Sequence, residues 1–288
     1  MATPSDILNR YLFEDLHVRG ELVQLDESFK EIIENHQYPD PIKALLGELM
    51  AATCLLTAML KFEGEISVQL QGDKAVKYAV INGNHKQQMR GIASLQQHIT
   101  GSSISDLFGK GTMVITITPE QGERYQGVVA LEGETLSECL EHYFATSEQL
   151  ETKIWLFADA EKRVAGGSLL QIIPDSDDKQ KQLDDFQHIS QLTATIKAKE
   201  LYELDAQELL YRLYHQEKVR LFDPQSVSFV CGCSEDKCLS AIANMGSDAI
   251  VEHLQQHQHI NITCEFCHTN YQFDKEKLAP LIEPKAQH

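Results

Sequence analysis

Two pairs of closely spaced cysteines constrain this chain more than any other feature. Five of its seven cysteines lie in the last quarter of the 288 residues, and four of these form a CxC followed about thirty residues later by a CxxC: Cys231, Cys233, Cys264 and Cys267. Each pair can supply two corners of a tetrahedral metal site, and the loop between the pairs brings them together. The sequence therefore predicts one Zn²⁺ per chain, held by four thiolates.

The CxC spacing of the first pair differs from that of a common zinc ribbon. A zinc ribbon usually repeats CxxC twice, whereas here only Gly232 separates the cysteines of the first pair. Thiols this close suggest redox partners as well as metal ligands. A purely structural zinc site remains open as the simpler interpretation.

Other uses of these cysteines fit the sequence less well. Residues 264–268 read CxxCH, the attachment pattern of c-type haem. Haem attachment normally requires export, and it would leave three nearby cysteines unexplained. A thioredoxin-like dithiol needs its CxxC at the start of a helix in a βαβ unit, whereas this CxxC is predicted on a hairpin knuckle. His268 could replace one thiol as a ligand, but with four thiols available we expect it to be a surface histidine.

The three remaining cysteines are predicted to lie outside the metal site. Cys238 fits neither pair and is interpreted as a fifth thiol that is not a ligand. Cys54 and Cys139 lie on predicted apolar helix faces, so we expect them in the protein core.

The small size of the cysteine-containing segment makes a metal important for its stability. A domain of about sixty residues rarely folds by core burial alone, and four thiolates on zinc supply an apparent ~10–16 kcal/mol. Oxidation of the close pairs would give Cys231–Cys233 and Cys264–Cys267 disulfides, each closing a tiny loop. Such local bonds cannot replace a constraint that spans thirty residues. The site is therefore suited to couple an oxidant to local unfolding.

Length, charge and composition restrict the number of domains, the partners and the cellular compartment. A chain of 288 residues with 42% hydrophobic residues is long enough for about two domains with a real core. Its formal net charge of −18 argues against a nucleic-acid partner. The N-terminus has no apolar signal region, so we expect a cytoplasmic protein. The most apolar stretch, residues 45–60, falls short of the roughly 18 residues of a membrane span, so no membrane association is predicted.

The first 174 residues are predicted to form an α+β core with antiparallel hairpins. Strand, helix and hairpin patterns follow one another along this segment. Strands are expected at 19–25, 66–70, 76–80, 114–118, 125–131, 154–157 and 169–173. Helices are expected around Phe29, from Pro41 to Leu60, and after Thr135. Neither a phosphate-binding glycine loop nor a Ser/His/Asp arrangement is present, so we expect neither an enzyme nor a nucleotide cofactor.

Residues 175–226 are predicted to form a linker and residues 227–288 a small zinc-binding domain. The linker begins with an acidic run, 175–185, without apolar periodicity. It continues as amphipathic helices whose apolar stripe includes Phe186, Ile189, Leu192 and Ile196. Such a stripe needs a surface to pack on. The last segment is expected to contain the CxC, one or two helices, and a hairpin carrying the CxxC.

The chain resembles one known family over essentially its whole length, and three segments carry the resemblance. VINGNHKQQMRGIA at 80–93, ITPEQGERYQGVVALEG at 117–133, and RLYHQEKVRLFDPQ running into VCGCSEDKC are similar to the bacterial heat shock protein 33 family of redox-regulated chaperones. The resemblance implies a reduced, zinc-loaded monomer of low activity. It also implies that oxidation forms disulfides Cys231–Cys233 and Cys264–Cys267, releases zinc, unfolds the linker and yields a dimer. That dimer would hold unfolding client proteins without ATP.

A second class of function remains beside this one. A constitutive zinc-stabilised adaptor would keep its metal under mild oxidant and would bind partners without activation. The redox-regulated holdase would lose metal reversibly and gain exposed apolar surface. Zinc content and aggregation suppression before and after peroxide treatment separate the two.

Overall fold

The computed structural model describes residues 5–34, 36–60, 63–174 and 178–282. The chain divides into two compact units, Met1–Val230 and Cys231–His288, named here the N-terminal unit and the C-terminal unit. The described residues confirm the predicted α+β class: the strands pair mainly antiparallel, and helices pack on the sheets.

The N-terminal unit contains the following elements in chain order: β1 (Ile7–Phe13), β2 (Val18–Leu25), α1 (Glu27–Glu34), α2 (Asp40–Ala58), β3 (Gly64–Gln71), β4 (Val76–Asn84), β5 (Gln88–Leu95), α3 (Ile104–Phe108), β6 (Thr112–Pro119), β7 (Tyr125–Ala130), α4 (Leu136–Tyr143), a π-helical turn (Phe144–Glu148), β8 (Thr152–Asp159), β9 (Val164–Ile172), α5 (Lys179–Thr193), α6 (Ala198–Glu203), α7 (Ala206–Tyr214), β10 (Val219–Leu221), β11 (Gln225–Ser226) and β12 (Ser228–Phe229).

Two sheets frame this unit among the described residues. Sheet A has the order β10-β1-β2-β9-β8, with β11 also paired to β1. Sheet B has the order β12-β5-β4-β3-β6-β7, and its short strand β12 runs parallel to β5. The strands alternate buried and exposed side chains where one face meets solvent, as in β3.

Helix α2 forms the centre of the core because it contacts both sheets. Thirteen of its 19 residues are buried, and Pro41 lies in its first turn, where the missing N–H costs no hydrogen bond. The helix ends at Ala58, two residues before the predicted end at Leu60, because the chain turns at Met59. By length and mean hydropathy of 1.4, α2 could cross a membrane, contrary to our estimate from residues 45–60, but 72% of that apolar window is buried inside the protein.

Helices α5, α6 and α7 pack on sheet A and build a second apolar cluster. Phe186, Ile189 and Ile196 are buried there beside Tyr11 and other side chains of β1 and β2, and Leu192 is partly buried. This confirms that the predicted stripe packs on the core. In the predicted acidic run, residues 175–177 lie outside the described residues, and from Lys179 onward the chain is helical, capped by Asp178.

Polar contacts also fix these helices to sheet A. The side chain of Gln24 donates hydrogen bonds to the carbonyl oxygens of Leu201, at 2.5 Å, and Leu204, at 2.8 Å. The hydroxyls of Thr193 and Tyr214 are 2.7 Å apart and buried. Buried polar contacts of this kind are satisfied only while the helices remain docked.

The C-terminal unit has its own small core. Its elements are α8 (Glu235–Ala243), α9 (Ser247–Gln256), β13 (His259–Thr263), β14 (Asn270–Asp274) and α10 (Lys275–Ile282). Six buried hydrophobic residues form the centre among the described residues of this unit: Cys238, Ile242, Ile250, Ile260, Phe273 and Leu278. The predicted helices and the predicted hairpin are thus confirmed, and α10 was not anticipated.

Candidate metal centre

The first cysteine pair lies in a tight turn between β12 and α8. Gly232 has a φ of 65°, a left-handed conformation that glycine adopts without steric cost. The Nζ of Lys237 donates to the carbonyl oxygen of Gly232 at 2.6 Å. Ser234 caps α8 by accepting from the Lys237 backbone N–H. The turn and the helix start therefore hold Cys231 and Cys233 on one compact loop.

The second cysteine pair forms the knuckle at the tip of the β13–β14 hairpin. The ladder ends at the pair Thr263 and Asn270. Beyond it, the N–H of Cys264 donates to the carbonyl oxygen of Thr269 and the N–H of His268 donates to that of Cys264, both at 2.9 Å. His268 has a φ of 55°, so the knuckle closes through a left-handed residue.

The four sulfur atoms of these two loops meet in one cluster. The ligand atoms of Cys231, Cys233, Cys264 and Cys267 all lie within 4.8 Å of one another, and all four residues are half-buried. The Sγ atoms of Cys231 and Cys264 are 3.4 Å apart, and those of Cys233 and Cys267 are 3.5 Å apart. Zinc–sulfur bonds of about 2.3 Å in a tetrahedron place sulfurs about 3.8 Å apart. The donor set and its spacing therefore fit a tetrahedral metal ion.

Hydrogen bonds distribute negative charge unevenly over the cluster. Burial raises the pKa of the Cys231 thiol above its usual range. Burial also acts to raise the pKa of Cys267, but hydrogen bonds from Thr269 and from the thiols of Cys231 and Cys233 outweigh it, and the pKa of Cys267 falls to about 6. A thiolate is the form that binds a metal, and the cluster provides one at neutral pH.

Two polar side chains that sequence reasoning did not assign to the site contact its sulfurs. Tyr271 Oη donates to Cys233 Sγ at 3.1 Å, and Thr269 Oγ1 lies 3.2 Å from Cys267 Sγ. The hairpin alternation places Tyr271 on β14, but no spacing rule connects a tyrosine seven residues beyond Cys264 to Cys233. Hydrogen bonds of this kind orient ligands and adjust their basicity.

The other candidate residues contribute no ligand atom to the cluster. Cys238 is buried in the small core of the C-terminal unit. Cys54 and Cys139 are buried in the main core of the N-terminal unit, which confirms their predicted place. Burial raises the pKa of Cys54 beyond its usual range, so that thiol is not poised to react. His268 is exposed, as predicted, and is not among the clustered ligand atoms.

A second group of metal-ligand types occurs among the described residues of the N-terminal unit. The side-chain ligand atoms of Glu63, His85 and Glu120 lie within 4.8 Å of one another, and both glutamates are exposed. The Nδ1 of His85, however, already accepts a hydrogen bond from the backbone N–H of Gly64 at 3.1 Å. One ring nitrogen is thus engaged by the first residue of β3.

Known proteins resemble this chain over nearly its whole length. A family model described as Hsp33 protein matches residues 6–274. The 33 kDa chaperonin of Colwellia psychrerythraea is 56% identical over 281 residues, which cover 96% of this chain and 97% of that protein. The 33 kDa chaperonin of Pseudoalteromonas translucida is 56% identical over 279 residues, which cover 96% of this chain and 99% of that protein.

A solved structure has the same fold. The crystal structure of a 33 kDa chaperonin, a heat shock protein 33 homologue from Thermotoga maritima, superposes with a TM-score of 0.82 and covers 96% of this chain and 98% of that one. Its sequence identity of 19% supports the fold alone.

Proposed function

Because the chain belongs to the Hsp33 family, we propose that it is a redox-regulated chaperone that holds unfolding proteins without ATP. Its relatives are named 33 kDa chaperonin, a name that denotes a chaperone rather than an enzyme. The proposal assigns the reduced chain one Zn²⁺ held by Cys231, Cys233, Cys264 and Cys267. It describes a cytoplasmic protein that is monomeric when reduced and dimeric when oxidised, with unfolded polypeptides rather than nucleic acid or membranes as partners.

The observation that carries this proposal is the four-thiol cluster in a unit with little core of its own. The cluster joins a loop at the start of the C-terminal unit to a hairpin tip more than thirty residues later. The six buried hydrophobic residues found in the described part of this unit are a small core for its length. When bound, zinc would supply much of the folding free energy of this unit. Loss of the ligand set should therefore unfold it.

Oxidation by hydrogen peroxide would convert the four thiols of the cluster to two disulfides. In each pair, two thiols lose two electrons and two protons to one hydrogen peroxide, whose O–O bond breaks to give two water molecules. One sulfur–sulfur bond forms per pair, so two peroxides convert the site to the disulfides Cys231–Cys233 and Cys264–Cys267. A sulfur in a disulfide is no longer a thiolate, so these four residues would no longer hold the ion. Each new bond closes only a short loop and leaves the two knuckles unconnected.

A covered apolar face in the N-terminal unit supports the proposed binding of unfolded proteins. Helices α5–α7 cover a face of sheet A that includes Tyr11, Phe13 and Leu22, each with only 1% of its surface exposed. If the helices detach, these side chains reach solvent and form the extended apolar surface that an unfolded chain can contact. In the proposed mechanism, the helices therefore cover an apolar face that becomes exposed when they detach.

Chain connectivity provides a route from the cysteines to these helices. Val230, the residue before Cys231, donates its N–H to the carbonyl oxygen of Met89 at 2.9 Å. Strands β10, β11 and β12 connect α7 to this point by pairing with β1 and β5. These pairings are two or three residues long, so they contribute little stability alone. Unfolding that begins at Cys231 can therefore propagate backward through them to the helices.

Aggregation assays test the proposal directly. A heat-denatured client should aggregate freely with the reduced, zinc-loaded chain and remain soluble with the peroxide-treated chain, with no effect of added ATP. Equal protection by both forms, with zinc retained after peroxide, would instead identify a constitutive zinc-stabilised adaptor.

A further inference from the structure

A tyrosine of the β13–β14 hairpin reaches across to the first cysteine pair. Tyr271 lies on β14 and pairs with Ile262 of β13, just before the knuckle that carries Cys264. The rings and aliphatic groups of Tyr271 and Ile262 pack against the small core of the C-terminal unit. The Tyr271 hydroxyl donates a hydrogen bond to the Sγ of Cys233 at 3.1 Å, although 38 residues separate the two along the chain. The packed ring therefore holds the hydroxyl at a fixed place beside one sulfur of the opposite loop.

This hydroxyl serves the sulfur rather than the packing of the hairpin. Among the described residues, Cys233 is its only hydrogen-bond partner. Phenylalanine at position 271 would keep the aromatic contacts with the core and lose only this hydrogen bond. Buried tyrosines usually direct their hydroxyl to some partner, and here that partner is a thiol of the metal and redox cluster.

The second cysteine pair has a weaker counterpart of this contact. Thr269 Oγ1 lies 3.2 Å from Cys267 Sγ, but Thr269 is exposed, so water competes for its hydroxyl. Tyr271 is half-buried, and a hydrogen bond shielded from water is stronger. The two cysteine pairs therefore differ in how firmly a side-chain donor holds one of their sulfurs.

A hydrogen bond to a thiolate changes how fast its sulfur reacts. A donor that shares the negative charge makes the sulfur less basic, and a less basic thiolate is a weaker nucleophile. Hydrogen bonds to charged groups change basicity by roughly tenfold to a hundredfold, and thiolate nucleophilicity varies with about the square root of basicity. Loss of the Tyr271 donor should therefore speed attack by Cys233 about threefold to tenfold.

We propose that Tyr271 is a positioning residue that slows the oxidation of the Cys231–Cys233 pair. This role rests on the redox-regulated function proposed above. It adds to that function a residue that sets how much oxidant the reduced chain tolerates before it responds.

The step that Tyr271 would slow is the first attack on the oxidant. The Cys233 thiolate attacks one oxygen of hydrogen peroxide, the O–O bond breaks, and hydroxide leaves to give a sulfenic acid. The Cys231 thiolate then attacks the sulfenic sulfur, a second hydroxide leaves, and the disulfide forms. Two protons from solvent convert both hydroxides to water.

Tyr271→Phe tests this role in the reduced, zinc-loaded, full-length chain. Initial rates of disulfide formation after peroxide are measured by acid quenching, alkylation of the remaining thiols and peptide mapping. The Cys231–Cys233 disulfide should form about threefold to tenfold faster than in the parent, and the initial rate for Cys264–Cys267 should stay near that of the parent.

A second reagent measures the same sulfur without oxidation. Iodoacetamide alkylates a thiolate by displacing iodide, so its rate reports nucleophilicity directly. The initial rate of Cys233 alkylation, followed by mass spectrometry, should also rise about threefold to tenfold in Tyr271→Phe.

Two controls separate a change in reactivity from a loosened fold. Ser240→Ala removes an exposed hydroxyl of α8 that donates to the carbonyl oxygen of Asp236, and this variant should be oxidised like the parent. Transfer of zinc to excess chelator without oxidant reports the integrity of the site. Because a more basic sulfur holds a metal at least as firmly, this transfer should be no faster in Tyr271→Phe than in the parent.

Three results would overturn the proposal. These are unchanged rates of Cys231–Cys233 formation and Cys233 alkylation in Tyr271→Phe, equal acceleration of both disulfides, and chelator transfer accelerated as much as oxidation. If any occurs while peroxide still releases zinc from the parent and the oxidised parent prevents client aggregation, Tyr271 has no such role and the chaperone function stands. If peroxide releases no zinc from the parent, the proposed redox function fails and the role of Tyr271 fails with it.

Discussion

The sulfur of Cys231 lies 3.4 Å from the sulfur of Cys264, although 33 residues separate the two along the chain. Cys233 and Cys267 form the parallel contact at 3.5 Å. Both contacts connect one knuckle to the other, so the cluster ties the beginning of the C-terminal unit to its hairpin. The proposed mechanism requires this connection for the unit to stay folded.

The first prediction concerns the metal ligands. Cys264→Ser should lower the zinc content of the reduced chain well below one per chain, because a hydroxyl replaces one of four thiolates. Cys238→Ser should leave the stoichiometry near one, although loss of a buried side chain can lower stability. Metal analysis of the purified reduced variants measures both. Full zinc occupancy in Cys264→Ser would refute the assignment.

The second prediction concerns which disulfides form. Peptide mapping after peroxide should find Cys231–Cys233 and Cys264–Cys267, although the sulfur contacts above also permit Cys231–Cys264. A bond of that crossed kind would close a loop of 33 residues and stabilise the unit by roughly 3–4 kcal/mol. It would therefore preserve the fold that activation must lose. Crossed disulfides in a chain that is active as a chaperone would contradict the proposed mechanism.

The third prediction concerns the docking of α5. Ile189 is fully buried and Leu192 partly buried against sheet A. The double variant Ile189→Ala with Leu192→Ala should lose on the order of 2–5 kcal/mol of packing free energy for the buried isoleucine alone. We expect it to suppress client aggregation while still reduced and zinc-loaded.

The matched control for this variant lies on the same helix. Gln187→Ala with Gln191→Ala truncates two exposed side chains of α5 and should remain inactive until oxidised. If the double variant of the buried residues also stays inactive, and its α5 amides exchange as slowly as those of the parent, docking of α5 does not control activation.

Much of the fold could be predicted because its elements carry strong local signals. The hairpin of β3 and β4 alternates apolar and polar side chains around a turn at residues 72–73, and Thr135 caps α4 through a capping box. Strand β1 was missed because Tyr11, Phe13 and Leu8 are all buried, on both faces of the strand, so no alternation marks it. Strands β10–β12 were missed because two or three residues carry no periodicity.

The grouping of the four thiols could be predicted, and the residues around them could not. Cysteine spacing alone identified the four thiols. The contact between Tyr271 and Cys233 depends on how the hairpin meets the first knuckle, which no local pattern encodes. The helical start of the acidic segment was also missed, because its first turn carries Lys179, Gln180 and Lys181 with no apolar residue to set a period.

The fourth prediction concerns pH. Burial raises the pKa of Glu21 from 4.5 to about 7, only partly offset by Arg19 and Arg10. The folded state therefore binds more protons than the unfolded state between these values, and this carboxyl lowers stability as pH rises through that window. Glu21→Gln should be more stable than the parent at pH 8, by up to about 3 kcal/mol, and nearly equal to it at pH 4.5.

Denaturant unfolding followed by Trp155 emission measures this effect in the N-terminal unit. Glu161→Gln, at an exposed position, provides the control and should match the parent at both pH values. A Glu21→Gln variant that is no more stable than the parent at pH 8 would show that the buried carboxyl is not destabilising.

The most direct test of the central claim follows zinc release and hydrogen exchange in one sample after peroxide is added at heat-shock temperature. We expect amides of the C-terminal unit to lose protection as zinc appears in solution. Amides of α5–α7 should follow, and strands β3, β4 and β6 of sheet B should remain protected. Aggregation suppression should rise with the loss of protection in α5–α7. Release of zinc with full retention of protection in α5–α7, or chaperone activity that rises before any zinc is released, would contradict the central claim.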